Sequence, residues 1–193
     1  MSDDPYTDPA TGVLRNKLGI TDDRTLQRVE ADLTRAALQE LAVSHLPGDY
    51  DLAHLLAFHR AIFDDLYSWA GQVRTVSIAK PGAVFAAPMF IESYADDVFA
   101  QLRHEDYLRG LARGEFVKRA AHYYAEINAI HPAREGNGRA QRAFFGQLAR
   151  DAGWSIAWRR MDPEFNVLAS LAGHRGDLGP LVRMFDALVG PPR

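Results

Sequence analysis

The chain has 193 residues, of which 47% are hydrophobic and 24% are charged. This length and composition are typical of one globular domain over residues 1–193 and exclude a disordered chain. A formal net charge of −3 argues against direct binding of nucleic acid, which depends on Lys and Arg neutralising phosphates. The absence of cysteine excludes disulfides, zinc–thiolate sites and a thiol nucleophile. Without a recognisable secretory signal or membrane-spanning run, we expect a cytoplasmic protein with no membrane partner.

Turn residues and apolar spacing predict the first elements. Prolines and glycines interrupt residues 1–20, which predicts an extended arm. Apolar residues at steps of three and four then predict a helix whose N-terminal cap lies at residues 21–23. These apolar residues are Leu26, Val29, Leu33, Ala37 and Leu41. A second helical pattern, with Asp51 as its cap, extends over residues 51–69.

A small β-hairpin is predicted within residues 71–88. Residues 73–78 alternate apolar with polar side chains, and a second short apolar run at 83–85 follows Lys80-Pro81-Gly82. Helical patterns return from Pro88 onward, at 115–130, at 138–152, at 163–173 and at 178–188. The predicted fold class is therefore all-α, a helical bundle with one hairpin, in which residues 115–152 form a helix–loop–helix unit.

The loop of this helix–loop–helix unit carries a run of chemically useful residues. From position 131 it reads His-Pro-Ala-Arg-Glu-Gly-Asn-Gly-Arg-Ala-Gln-Arg. Pro132 cannot continue the preceding helix, so His131 is presented at the C-terminal end of that helix. Imidazole has an unperturbed pKa of ~6.5, near working pH. His131 is therefore the candidate general base for an attacking hydroxyl.

The second half of the loop predicts a site for a phosphate chain. Two glycines around one asparagine, Gly136-Asn137-Gly138, allow positive φ angles and backbone N–H groups that point into one concavity at a helix N-terminus. Arg139 and Arg142 are three residues apart and share one face of the new helix, so they reach the same anion. Glu135 offers a carboxylate through which Mg²⁺ is held together with substrate phosphates.

These residues resemble the motif of the Fic family, His-Pro-Phe-x-Asp/Glu-Gly-Asn-Gly/Lys-Arg-x-x-Arg. Residues 67–76, Lys80 and residues 85–88 are similar to the helix end and flap of that family. Residues 12–20 and 176–181 are similar as well. The resemblance therefore covers nearly the whole chain.

The resemblance implies an α-helical Fic fold that transfers AMP from ATP, with Mg²⁺, to a Ser, Thr or Tyr hydroxyl of a target protein. It implies that the flap, roughly residues 78–87, pairs with an extended segment of that target. Lys80 on the flap is a candidate for a nucleotide or target contact, with a solvated edge-strand residue as the alternative. The implied roles are catalytic base for His131, Mg²⁺ ligand for Glu135, cradle of the α- and β-phosphates for Gly136, Asn137 and Gly138, and clamp of the β/γ end for Arg139 and Arg142.

One position departs from the family pattern. Ala133 stands where the family has a phenylalanine whose ring is buried beneath the loop, and losing such a ring costs ~3–5 kcal/mol if nothing fills the space. Either a neighbour fills it, or the chain is a weakened relative that binds nucleotide or a partner without transfer. Gly138 is typical of members that transfer AMP, whereas members with lysine there transfer phosphate. UMP and phosphocholine stay open as other donated groups.

The regulatory helix of the family, Ser/Thr-x-x-x-Glu-Gly/Asn, has no match in this sequence, because no Ser or Thr is followed four residues later by Glu. In one family class a small antitoxin supplies that helix, and its glutamate engages the second motif arginine, here Arg142. We therefore expect a toxin held by a separate antitoxin. Targets of similar toxins suggest a type II topoisomerase subunit as the modified protein.

Overall fold

A computed structural model describes residues 4–192, which form seven α-helices and two pairs of short antiparallel strands. The helices are α1 (Asp23–Val43), α2 (Leu52–Phe63), α3 (Ile91–His104), α4 (Arg113–Ile130), α5 (Asn137–Asp151), α6 (Pro163–His174) and α7 (Gly179–Leu188). The strands are β1 (Ala79–Lys80), β2 (Ala83–Val84), β3 (Ser155–Ile156) and β4 (Val189–Gly190). The predicted all-α class with a small hairpin is confirmed. Within residues 4–192, no helix has the length and apolarity required to cross a bilayer.

Side-chain caps begin the first two helices where the sequence predicts them. The Asp22 carboxylate accepts a hydrogen bond from the backbone N–H of Thr25 at 2.8 Å, and Asp51 accepts one from His54 at 2.8 Å. Such caps satisfy N–H groups that have no partner inside the helix. The arm before α1 contains turns and a single bridge between Thr7 and Leu14, as predicted for residues 4–20, while residues 1–3 lie outside the described part.

The predicted extension of α2 to residue 69 is wrong. The helix ends at Phe63, and the following turn buries Leu66 and Tyr67 at 1% and 0% exposure. Tyr67 also stacks on Trp69 with ring centroids 4.3 Å apart. A turn brings all of these side chains into the core, whereas a continuous helix buries only one stripe of its surface.

The buried face of α1 also differs from the predicted stripe. Leu26 and Leu41 are buried, but Leu33 is 37% exposed and Thr34 is buried beside it. The Thr34 hydroxyl donates to the Glu30 carbonyl at 2.8 Å, so its burial leaves no unpaired polar group. α1 therefore turns a partly polar face toward the rest of the protein.

The hairpin contains different residues from those predicted for its first strand. β1 and β2 pair Ala79 with Val84 and Lys80 with Ala83, around a turn at Pro81-Gly82. Residues 73–78 form no strand, because this segment packs on the loop after α4. The backbone N–H of Arg74 donates to the Pro132 carbonyl at 2.8 Å. We refer to residues 76–87 below as the flap.

One hydrophobic core underlies the loop between α4 and α5. Phe58 of α2, Phe116 of α4 and Phe144 of α5 are fully buried in it. Phe58 and Phe144 meet edge to face at 6.0 Å, a favourable arrangement for aromatic rings. This packing holds the helices on both sides of the loop in place, and the loop residues lie directly above the core.

Candidate active site

The first feature of the site is His131, which follows directly after α4. It has left-handed backbone angles, φ 47° and ψ 61°, and is only 6% exposed. Its Nδ1 lies 3.2 Å from the carbonyl oxygen of Asn128. Because a carbonyl only accepts hydrogen bonds, Nδ1 carries the proton and Nε2 is left as a free base.

The surroundings of His131 keep its imidazole neutral. Its pKa is lowered to about 3, mainly by burial and in addition by the positive charges of Lys80 and Arg74. The Phe85 ring of the flap stacks on the imidazole with centroids 3.8 Å apart and planes 19° apart. The base is therefore unprotonated across the physiological pH range and is covered by the flap.

The loop between His131 and α5 is held by Asn137. Its side-chain oxygen accepts from the Ala133 N–H at 2.8 Å, and its amide nitrogen donates to the Ala133 carbonyl at 2.7 Å. Both the oxygen and the nitrogen of its side chain are thus bonded within the protein. Gly136 has φ +80°, and a β-carbon there would lie 2.3 Å from the Phe63 ring. Only glycine fits this position, for reasons of both conformation and space.

The loop leads directly into the first turn of α5, whereas the sequence predicts a concavity formed by two glycines with positive φ angles. Gly138 is already helical, and only Gly136 adopts a positive φ. Among the hydrogen bonds of residues 4–192, the backbone N–H groups of Asn137 and Gly138 have no acceptor. Free N–H groups in a first helical turn attract anions. The predicted geometry with two positive-φ glycines is therefore wrong, and anion binding at this helix start stays a prediction.

The two motif arginines have different surroundings. Arg139 pairs with Glu30 of α1 at 2.6 Å, and its guanidinium carbon lies 4.7 Å from the centre of the Phe63 ring. Arg142 forms no ion pair within residues 4–192 and lies against Gly138, where a β-carbon would come within 3.2 Å of its Nη1. Arg142 is thus the motif arginine that is available to a new anion.

Glu135 lies at the edge of this helix N-terminus. Its Oε1 accepts from the Gly136 N–H at 2.9 Å. The described residues contain no cluster of three or more His, Cys, Asp or Glu side chains that is suited to hold a metal ion. One carboxylate beside an anion site fits a Mg²⁺ that takes its other ligands from phosphates and water.

The space left by Ala133 is almost filled. Ala133 is 1% exposed, and the cavity beside it has a volume of about 10 Å³. His59 supports the loop from below: it accepts from the Gly71 N–H at 3.0 Å through Nδ1 and donates to the Glu135 carbonyl at 2.8 Å through Nε2. The surrounding side chains therefore leave little empty space where the family has a ring. The cavity is lined mainly by Leu55, Leu56, His59, Ile127, Ala140 and Gln141.

The profile of the Fic/DOC family matches residues 49–149. The chain belongs to the Fic/DOC family. This Fic chain is 46% identical over 176 residues to the protein adenylyltransferase VbhT of Bartonella schoenbuchensis, covering 91% of this chain and 37% of that relative. It is 40% identical over 192 residues to the probable protein adenylyltransferase Fic of Salmonella typhimurium, covering 98% of this chain and 94% of the relative.

The fold of this Fic chain matches a solved relative. The N-terminal Fic domain of a putative cell filamentation protein from Bartonella quintana, with bound ADP, has a TM-score of 0.93 and 27% sequence identity. The match covers 98% of this chain and 96% of that one. The predicted Fic fold is therefore confirmed, and the resemblance that rested on the motif extends over the whole architecture.

Most predicted site residues come together in the Fic structure. His131, Glu135 and Gly136 lie on one loop, and Gly138 follows in the first turn of α5. Lys80 lies in β1, and its positive charge lowers the pKa of His131. Sequence reasoning missed Glu30 and assigned no role to Arg74, whose side chain contacts the His131 carbonyl at 2.9 Å. Neither residue shows a signal in the sequence, because each reaches the loop from a distant element.

Proposed function

We propose that the chain is a protein adenylyltransferase that transfers AMP from ATP to a hydroxyl side chain of a target protein. The observation that carries this proposal is the unprotonated Nε2 of His131 beside the free N–H groups of Asn137 and Gly138. A base and an anion site on one loop are the two elements that transfer of a nucleotide to a hydroxyl requires. Relatives named protein adenylyltransferases support the same activity.

The proposed reaction is an in-line displacement at the α-phosphorus. The target hydroxyl oxygen bonds to the α-phosphorus while its proton moves to Nε2 of His131. The bond from the α-phosphorus to the bridging oxygen breaks, and pyrophosphate leaves with both bonding electrons. The N–H groups at the start of α5 stabilise negative charge on the phosphates, and Arg142 is available to the terminal phosphates. Phe85 of the flap covers the base, and Lys80 adds positive charge on the same hairpin, where the target docks.

Glu135 is the proposed Mg²⁺ ligand. Bound Mg²⁺ supplies charge neutralisation on the phosphates. Glu135 itself offers its carboxylate at the loop, held in place by the N–H of Gly136. Without Mg²⁺, a Glu135→Gln variant should bind ADP with the same affinity as the parent chain. With Mg²⁺, the affinity of the parent chain for ADP should rise, whereas that of the variant should not. Titration calorimetry with and without the ion measures both affinities.

The activity is tested by intact-mass spectrometry of target proteins after incubation with ATP and Mg²⁺. A type II topoisomerase subunit is the first target to try, followed by a lysate with labelled ATP. An AMP-sized mass addition that His131→Ala abolishes supports the proposal. His104→Ala, at an exposed position of α3, is the matched control and should leave the addition unchanged. Equal modification by His131→Ala would refute the role of this base.

We also propose that a separate antitoxin silences the enzyme in the cytoplasm. Arg139 already has a carboxylate partner in Glu30, whereas Arg142 has none within residues 4–192. A glutamate supplied in trans by a helix of the partner therefore fits Arg142 and competes with the terminal phosphate. Calorimetry with a helical peptide of the pattern Ser-x-x-x-Glu-Gly tests this. Unchanged ATP affinity on saturation with the peptide would contradict it.

A further inference from the structure

Among the described residues, Arg74 is the largest fully buried side chain, and it has no carboxylate partner there. It is 1% exposed, and none of the ion pairs of residues 4–192 includes it. A buried charge is costly unless hydrogen bonds satisfy it. The hydrogen bonds of Arg74 must therefore offset the cost of burying its charge.

The acceptors of Arg74 are all backbone carbonyl oxygens, and they lie on two different elements. Nε donates to the His131 carbonyl at 2.9 Å, and Nη2 approaches that of Ile130 at 3.5 Å. On the other side, Nη1 donates to Val76 at 2.7 Å, and Nη2 donates to Ala86 at 2.5 Å. One guanidinium thus connects the end of α4 to both ends of the flap.

The end of α4 explains why a cation is stable here. The last carbonyls of a helix have no partner inside the helix and carry its negative partial charge. His131 adopts left-handed angles, so the helix cannot continue and satisfy them. The planar fork of arginine reaches several carbonyls at once, which the single ammonium of lysine does not.

The same contacts fix the flap relative to the base. Val76 and Ala86 flank the hairpin, and the Ala86 N–H donates to the Ala129 carbonyl at 3.0 Å. Phe85, next to Ala86, stacks on the His131 ring. Arg74 also adds positive charge close to this imidazole, in the direction that keeps it neutral. The distance from the flap to Nε2 therefore depends on the Arg74 fork.

We propose that Arg74 is a positioning residue that holds the flap at a fixed distance from the catalytic base, so that a hydroxyl docked on the flap meets Nε2 of His131. The proposal rests on the proposed AMP transfer. Misplacement by about 1 Å costs on the order of 10²-fold in rate. Nucleotide affinity should change little, because the phosphates are assigned to α5, which Arg74 does not contact.

The test compares Arg74→Lys and Arg74→Gln with Arg150→Lys. Arg150 is a matched control, since its guanidinium also donates to carbonyls at the end of a helix, those of Leu41, Ala42 and Ser44, far from the flap. Both Arg74 variants should lose about 10-fold or more in kcat for the target, with ADP affinity by calorimetry within about twofold of the parent chain. Arg150→Lys should retain the parent kcat.

Hydrogen exchange of the flap gives a readout that does not need activity. Amides of residues 77–87 should exchange about 10-fold faster in the Arg74 variants and unchanged in Arg150→Lys. Parent-like flap exchange in folded Arg74 variants would overturn the proposal, as would equal loosening in Arg150→Lys. Absence of AMP transfer by the parent chain would instead refute the proposed function and leave the exchange comparison intact.

The parent chain decides the question even if neither Arg74 variant folds. The Nε–H signal of Arg74, assigned through its proximity to His131, should exchange with water slowly, and that of the exposed Arg150 should exchange quickly. Equally fast exchange of the two signals would overturn the proposal.

Discussion

Ala133 shows how one substitution in a motif is absorbed by its neighbours. The family has a buried phenylalanine at this position, yet the cavity around Ala133 has a volume of only about 10 Å³. That volume has room for about one water molecule and is too small for an aromatic ring. The core has therefore adapted to alanine, and the loop keeps its Asn137 hydrogen bonds to Ala133.

Restoring the family residue should consequently harm this protein. Ala133→Phe forces a ring into filled space, and such overpacking typically costs ~1–3 kcal/mol in the free energy of unfolding. Denaturant unfolding followed by circular dichroism measures the change. Ala100→Phe, on the exposed side of α3, is the control and should stay within about 0.5 kcal/mol. A stabilised Ala133→Phe variant would show that the space for the ring still exists.

Gly136 must be glycine for two reasons, its positive φ angle and the lack of space for a β-carbon, and an experiment can separate them. Gly136→Ala places a β-carbon 2.3 Å from the buried Phe63 ring at φ +80°. Gly153→Ala imposes a similar φ of +84° in open space, with no atom within 4 Å. We expect Gly153→Ala to cost about 1 kcal/mol from strain alone. Gly136→Ala should cost at least about 2 kcal/mol more in denaturant unfolding and weaken ADP binding. Equal costs for the two variants would contradict the collision with Phe63.

α1 lies outside the residues that the family profile matches, yet it contributes directly to the site. Glu30 accepts from Arg139 with one carboxylate oxygen and from the Tyr67 hydroxyl with the other. Burial, followed by the Glu30 hydrogen bond, raises the pKa of Tyr67, so its hydroxyl stays a donor. The helix thereby binds the guanidinium of the first motif arginine in an ion pair.

Neutralising Glu30 tests this role of α1. Glu30→Gln should lower the free energy of unfolding by about 1–3 kcal/mol, because Arg139 keeps its partial burial but loses its charged partner. The released guanidinium should also tighten ADP binding, as calorimetry can measure. Asp32→Asn, whose partner Arg35 is equally exposed on the same helix, is the control for loss of one charge. Weaker ADP binding by Glu30→Gln would show instead that Glu30 aims Arg139 at the phosphates.

The flap shows how an element can be recognised while its strands are misplaced. Alternation of apolar and polar residues at 73–78 is typical of a strand, but the segment uses its backbone and the Arg74 side chain to contact the end of α4. The short pairing of β1 with β2 follows from the Pro81-Gly82 turn. Turn chemistry located the hairpin correctly, and tertiary contacts overrode the periodicity before it.

The protein as a whole should lose stability in mild acid because it buries neutral histidines. His131 has a pKa of about 3 in the folded protein against 6.5 in the unfolded chain, and burial lowers the pKa of His54 as well. Below pH 6.5 the unfolded state therefore binds protons that the folded state does not. The stabilisation is complete above pH 6.5 and is lost as the pH falls toward 3.

Denaturant unfolding at pH 7.5 and pH 5.5 measures this loss. Each histidine with a strongly lowered pKa contributes up to about 1.4 kcal/mol over this interval, so we expect a drop of ~1–2 kcal/mol. His131→Asn should remove about 1 kcal/mol of the drop, whereas His104→Asn at an exposed site should leave it unchanged. Equal stability at the two pH values would contradict neutral burial of these side chains.

The amino-acid sequence alone was sufficient to predict those features whose conformation depends on residues close together along the chain. The caps Asp22 and Asp51, the end of α4 at His131 and the turn at Gly136 involve residues within a few positions of one another, where backbone geometry and local hydrogen bonds decide the conformation. The motif residues could be assigned to chemical roles for the same reason. Those roles stay predictions until the reaction is measured.

The three-dimensional packing was required for contacts between remote segments. Glu30 and Arg139 are 109 residues apart, and Arg74 and His131 are 57 apart. Such pairs depend on which faces of the helices meet, and that choice comes from burial of the whole core rather than from local spacing. Only the folded chain therefore shows that Arg139 has an ion-pair partner, that Phe85 covers the catalytic base and that little space is left at Ala133.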